Sequence, residues 1–309
     1  MTTNFFALIF PGQGAQKVGM GKEFYDSSAE ARRVFAEADQ ILQNDLSRVI
    51  FEGPPEKLTA TAFCQPGILT VSIAALRAFQ SHPKFQNIPV RYTAGLSLGE
   101  YSALVAANAL SFSDALRLVE RRAFFMEEAT KLSPGTMAAI IGFNVNRLKE
   151  ICLKTGAEIA NYNSPQQLVI TGHRQKVEAA GRIIKEEGAQ SVIPLEVSGA
   201  FHSSLMQPAS EKFEKELKNV LIASGQEIPV VSNVSARAQT SATEIRQNLA
   251  KQIVSSVRWE ESVRYIAGGG VTNFIEIGPG KVLKGLLRGI NPDLKVFNIE
   301  GPADIASLP

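Results

Sequence analysis

The chain of 309 residues predicts an α/β protein, with a smaller ferredoxin-like unit inserted into a larger unit built on a parallel sheet. Three observations carry this prediction. The apolar run Phe5–Phe10 stops at Pro11-Gly12, as a buried parallel strand would. A second short strand, residues 92–94, passes through glycines directly into a helical stretch, "EYSALVAANAL". Between residues 134 and 198 the rhythm changes to strand, helix, strand, strand, helix, strand, the split βαβ order of a ferredoxin-like unit.

Taken in order, the first strand is followed by a helical stretch and then by an apolar helix over residues 70–80, closed by His82-Pro83. After the second strand and its helix comes a longer helix over residues 114–131, with Ser113 as its expected N-cap. The inserted unit reads as strand 136–143, helix 146–156, strand 158–163, a turn at Ser164-Pro165, strand 167–172, helix 173–188 and strand 190–197. Ser133-Pro134-Gly135 and Ser198-Gly199 are the crossing points, which divides the chain into 1–133 plus 199–309 and 134–198. The α/β pattern then resumes with "PVVSNV", a helix opened by Ser241 with Glu244 in capping-box spacing, the strand "NFIEIGPG" and a final helix.

Composition limits the function classes. Hydrophobic residues at 45% and charged residues at 20% are ordinary for a globular protein with a full core. A net charge of +2, with no block of like charges, gives no reason to expect nucleic acid as a partner. No run of 18 apolar residues appears, so no membrane span is expected, and "MTTNFFALIFPGQG" lacks a basic leader and a small-residue cleavage site. Cys64 and Cys152 are far apart and form no metal-type pair, which fits a reducing compartment. A cytoplasmic protein is expected.

The chemistry is written around one serine. Gly95-Leu96-Ser97-Leu98-Gly99 lies between a strand and a helix, the setting of a nucleophile elbow and a hydrolase-like feature. An ordinary glycine-rich turn also fits five residues, but the flanking strand and helix favour the nucleophile. Such a serine needs a base, and the chain has only three histidines. His82 lies at a helix end beside a proline, and His173 starts or caps a helix. His202, in "VSGAFHSSLMQP", falls where the inserted unit hands back to the larger one, so by elimination and position it is the candidate base.

An arginine occupies a position that should be apolar. Ala115, Leu118, Val119, Arg122 and Met126 share one helical stripe, while Arg117 and Arg121 lie on the other side. A buried guanidinium left unpaired costs several kcal/mol, so Arg122 is expected to have an anionic partner. From this helix alone a protein carboxylate is the simpler partner; a substrate carboxylate held by two parallel hydrogen bonds is the alternative.

In order along nearly the whole chain, "FPGQGAQKVGMG", "GLSLGEYSALVA", "RLVERRAFFM", "NYNSPQQLVITG", "GAFHSSLM" and "IEIGPGKVL" resemble the motifs of the malonyl-CoA:acyl carrier protein transacylase family. The resemblance implies a malonyl transfer from malonyl-CoA to the phosphopantetheine thiol of acyl carrier protein, by a ping-pong route through a malonyl-serine, supplying fatty acid synthesis. It implies Ser97 as nucleophile and His202 as base, with the histidine oriented by the main-chain carbonyl of Gln252 in place of a carboxylate. The oxyanion donors would be the backbone N–H groups of Leu98 and Gln13. Arg122 would bind the malonyl carboxylate, Phe201 would leave little room for an α-methyl branch, and Met126 would line the same pocket or simply fill core. No metal or cofactor is implied, and a monomer is expected. Leu96 stands where the family often has histidine. Three rival readings are weaker. An α/β-hydrolase would carry an evident acid in the order Ser, acid, His, and "GQGAQK" has Lys17 where a dinucleotide fingerprint needs its third glycine. A non-catalytic carrier-protein docking domain would have no use for both nucleophile and base.

Overall fold

The structure, a computed structural model, describes residues 5–309. The reading of the first residues as lacking a leader therefore falls partly on residues 1–4, which lie outside the described residues. Among the described residues, ten strands form two sheets: β1 (Phe5–Phe10), β2 (Val90–Gly95), β7 (Val230–Val231), β8 (Ala238–Gln239), β9 (Val271–Ile277) and β10 (Lys295–Ile299) in the larger, and β3 (Thr136–Ile141), β4 (Glu158–Ser164), β5 (Gln167–Gly172) and β6 (Ser191–Pro194) in the smaller.

The larger sheet has the order β10-β9-β1-β2-β7-β8 and is parallel except for the β7–β8 pair. Helices cover both faces, which is why β1 is apolar at every position instead of alternating. Its Leu8 and Phe10 pack with Ile68 and Leu69, whereas Ala7 and Ile9 pack with Trp259, Val263 and Leu287 on the opposite side. The helix Thr61–Ser81 begins well before the expected residue 70 and runs through Pro66. It is long and apolar enough to cross a membrane, yet most of that surface is buried in this protein's own core.

The smaller sheet is antiparallel throughout, in the order β4-β5-β3-β6. The helices Val145–Thr155 and Arg174–Glu186 bury Leu148, Ile151, Val177 and Ile184 against one face of it. This is the ferredoxin-like arrangement, with element ends within a few residues of those expected. Met137 and Val169 turn the other way, into the larger core. Main-chain bonds from Tyr162 N to Val257 O (2.9 Å) and from Val257 N to Ala160 O (2.8 Å) tie β4 to the segment between the helices Ala242–Gln252 and Trp259–Gly268.

Two details correct the expectations. The helix Phe112–Leu132 is capped by Ser111, whose hydroxyl accepts from Asp114 N at 3.0 Å; Ser113 instead lies inside the first turn. "PVVSNV" contributes only a two-residue strand, because the chain turns at Ser232 to pair β7 with β8.

Candidate active site

The carboxyl ends of three neighbouring parallel strands gather the site. Phe10 is in register with Gly95, and Ala94 with Val231, so the loops after β1, β2 and β7 lie side by side. Open α/β sheets place their ligands at this end. Between β2 and the helix Gly99–Ala106, Ser97 adopts φ 52°, a left-handed conformation that costs a non-glycine residue about 1–2 kcal/mol. The flanking glycines make the bend sterically possible: a Cβ on Gly95 would overlap the Gly99 carbonyl, and one on Gly99 the Phe10 carbonyl. Asn233 splints the bend, accepting from Ser97 N at 2.6 Å and donating to Gly95 O at 2.7 Å.

His202 meets the serine from the segment after β6. Its Nε2 lies 2.8 Å from Ser97 Oγ, and its Nδ1 lies 2.9 Å from Gln252 O and 3.2 Å from Ser255 O. Carbonyls only accept, so Nδ1 carries the proton and Nε2 offers its lone pair to the serine hydroxyl. Burial, helped by the positive charge of Arg122, lowers the imidazole to about 4 despite the two carbonyls that pull it upward. The ring is therefore neutral at physiological pH.

Arg122 is 1% exposed and makes no salt bridge among the described residues. No protein carboxylate, the simpler partner expected from its helix, is in contact with it among the described residues. Its Nη1 donates to Gln65 Oε1 at 2.7 Å, and its Nη2 donates to Ser97 Oγ at 3.0 Å and to Gln252 Oε1 at 3.1 Å. Its Nε is buried with no partner. Nε and Nη2 share one edge of the guanidinium, the edge that takes a carboxylate by two parallel bonds. Burial lowers the arginine's pKa, against the nearby Tyr101 and Glu100.

The balancing carboxylate lies one amide away. Glu100 is fully buried and accepts from Gln252 Nε2 (2.6 Å), Gln239 Nε2 (2.8 Å) and Asn233 N (3.2 Å). Burial pushes its carboxyl up to about 7, while these donors and Arg122 pull it down. Glu100 has no bond to His202, whose Nδ1 is taken by the two carbonyls.

These side chains open on a cavity of about 460 Å³ between the two sheets. Gln13, Leu98, Phe201 and Met126 line it. No acceptor among the described residues takes the N–H of Leu98 or of Gln13. Phe201 and Met126 are both buried, and Met126 Sδ lies 3.7 Å from Gln65 Nε2. The other two histidines stand elsewhere: His82 accepts from Lys84 N after the helix Thr61–Ser81, and His173 precedes the helix Arg174–Glu186 without a side-chain cap.

The family model described as "Acyl transferase domain" matches residues 7–296. A malonyl CoA-acyl carrier protein transacylase from Bacillus subtilis is 48% identical over 97% of this chain and 94% of its own. An acyl-carrier-protein-S-malonyltransferase from Bartonella henselae superposes with a TM-score of 0.94, at 38% identity and covering 98% of each chain. A malonyl-transacylase solved in complex with its type II PKS acyl-carrier protein gives the same TM-score at 37% identity, again covering 98% of both chains. The chain belongs to the malonyl CoA-acyl carrier protein transacylase family.

For a member of the transacylase family, the residues that sequence reasoning missed are those bonded to the predicted ones. Gln65, Glu100, Asn233 and Gln239 are all at most 1% exposed and all within one bond of Ser97, Arg122 or Gln252, or of Glu100 itself. Only Glu100 had a local signal, since it follows the nucleophile motif; acids in a first helical turn are, however, ordinary partners of the helix dipole. Leu96, the departure from the family's frequent histidine, lines the cavity and packs against the Trp259 side of the sheet.

Proposed function

We propose that this protein transfers malonyl from malonyl-CoA to the phosphopantetheine thiol of acyl carrier protein, through a malonyl-Ser97 intermediate, to supply extender units for fatty acid synthesis. The observation that carries the reading is the shared position of Ser97 Oγ, 2.8 Å from a neutral imidazole nitrogen and 3.0 Å from a buried guanidinium with an unused donor. A nucleophile beside a base is generic. A nucleophile beside a base and an unsatisfied carboxylate fork selects a dicarboxylic acyl group.

His202 Nε2 takes the Ser97 proton as Oγ attacks the thioester carbonyl. The oxyanion forms against the N–H groups of Leu98 and Gln13, and loss of one such donor typically costs about 10²–10³ in rate. The intermediate collapses with cleavage of the C–S bond, and the imidazolium returns its proton to the departing CoA thiolate. In the second half, His202 deprotonates the carrier protein's thiol, the thiolate attacks the serine ester, and the proton goes back to Ser97 Oγ. Both ends are thioesters, so the exchange is near neutral. The main-chain carbonyl of Gln252, with that of Ser255, does the orienting job a triad acid does elsewhere.

Arg122 holds the malonyl carboxylate through Nε and Nη2, and Phe201 and Met126 narrow the pocket around it. Residues 134–198 act as an inserted subdomain that walls the cleft opposite 1–133 and 199–309. Incubation of the protein with a panel of acyl-CoAs, then with holo acyl carrier protein, tests the reading by intact mass. Malonyl should appear on the enzyme and move to the carrier; free malonate with no transfer would point to a hydrolase.

A further inference from the structure

A fully buried carboxylate that touches neither the base nor the arginine has no role in the cycle above. Glu100 is nevertheless built into the site with care. It bridges the start of the helix Gly99–Ala106, the loop after β7, β8 and the last residue of the helix Ala242–Gln252. Its strongest contact, at 2.6 Å, is the side-chain amide of Gln252.

That amide has two ends, and the carboxylate decides which end points where. An ionised carboxylate only accepts, so Gln252 must turn its NH₂ toward Glu100. One of its hydrogens goes to Glu100 Oε2, and the other is placed to reach Ser97 O at 3.1 Å. The amide oxygen is thereby fixed on the other side, where it accepts from Arg122 Nη2 at 3.1 Å. The same residue's main-chain carbonyl takes the proton of His202 Nδ1. Gln239 cannot substitute for Gln252 as the flexible member, because its own oxygen already accepts from Asn248 Nδ2 at 2.8 Å.

We propose that Glu100 is a positioning residue for acyl selection: as an acceptor-only group it sets the flip of the Gln252 amide, which in turn seats the Arg122 guanidinium to clamp the substrate carboxylate. The inference rests on the reading of Arg122 as the malonyl clamp. Replacing Glu100 by glutamine preserves shape and removes the rule. The new NH₂ competes for the Gln252 oxygen, and a flipped Gln252 presents N–H groups to the guanidinium, donor against donor. Acetyl, which has no carboxylate to clamp, does not need that seat.

The test is a double-mutant cycle in the full-length enzyme, reading malonyl and acetyl loading of Ser97 from the two CoA thioesters by intact mass at pH 8. Glu100→Gln is expected to lower the malonyl-to-acetyl ratio by about 10- to 100-fold, as loss of a charged hydrogen bond would. In an Arg122→Ala background the same change is expected to lower the ratio by less than about twofold, because the clamp is already gone. A merely structural role would depress both acyl groups alike and add to the arginine variant. Equal losses, an unchanged ratio, or additivity would each overturn the proposal. If Arg122→Ala alone leaves the ratio intact, the parent reading fails; if it abolishes selection while Glu100→Gln does not, only this inference fails. Should Glu100→Gln fail to unfold cooperatively, Gln252→Met removes the amide bridge and keeps the main-chain carbonyl, and a selective fall in the ratio is again required.

Discussion

Truncating Arg122 to alanine is the most informative single perturbation of this site. The guanidinium presents two donors on one edge, Nε without a partner and Nη2 3.0 Å from the nucleophile. When Oγ becomes an ester, a carboxylate one methylene beyond the carbonyl gains two charge-assisted hydrogen bonds, each about 1.5–3 kcal/mol. Desolvating the carboxylate takes back part of that sum. A net of about 3–4 kcal/mol corresponds to a few hundred-fold at about 1.4 kcal/mol per tenfold. Arg122→Ala should therefore slow malonyl loading by roughly a few hundred-fold, and acetyl loading by less than about tenfold. Single-turnover loading from each CoA thioester, followed by intact mass, reads both numbers. Removing one member of a buried charge network also costs about 3–5 kcal/mol of stability, so Arg122→Lys, which keeps the charge and loses the fork, is the companion variant, expected to fall between. Equal losses for the two acyl groups in both variants would refute the carboxylate role.

Three further outcomes follow from the geometry. Ser97→Ala should abolish the malonyl mass increment altogether, and an unchanged increment would put the acyl group on another residue. With the imidazole lowered to about 4, acetyl loading, chosen because acetyl carries no titrating carboxyl, should rise through about pH 4 and be flat by pH 6; a half-maximum near pH 6.5 would show that burial and Arg122 do not hold the base down. Gly99→Ala forces a Cβ into the Phe10 carbonyl and should cost at least about 2–3 kcal/mol in urea unfolding along with acyl loading, whereas Gly285→Ala, with open space around its Cβ position, should be neutral or stabilise the helix Val282–Ile290 by about 0.5–1 kcal/mol.

What was legible in the sequence were residues whose type conflicts with their place. A serine framed by glycines, a histidine at a crossing point and an arginine in an apolar stripe each break a local rule, and local rules can be read from one chain. Strand β1 was equally legible as an unbroken apolar run closed by Pro11-Gly12, and so were the six elements of the smaller unit, where short apolar strands and amphipathic helices succeed one another. The helix Thr61–Ser81 extends beyond the expected 70–80 at its start, where it contains Pro66-Gly67; buried packing overrides the helix-breaking tendency of that pair. Strand β10 and the helix Pro302–Ala306 passed unnoticed, being five residues each with weak periodicity. The partner of Arg122 could not be read from its helix. Its contacts, Gln65 and Gln252, are 57 and 130 residues away, and a neutral glutamine has no pattern that announces burial.

The cation packed near the imidazole has a consequence for timing. Burial first, and the positive charge of Arg122 second, hold His202 below its ordinary basicity. If Arg122 clamps the cargo as proposed, the substrate carboxylate offsets that second influence on arrival and raises the imidazole's basicity as a thiol must be activated, while the share due to burial remains. Selection and activation would then be one electrostatic event. Nuclear magnetic resonance titration of His202 should accordingly give a higher midpoint in the malonyl-loaded protein than in the free one, and identical midpoints would separate the two.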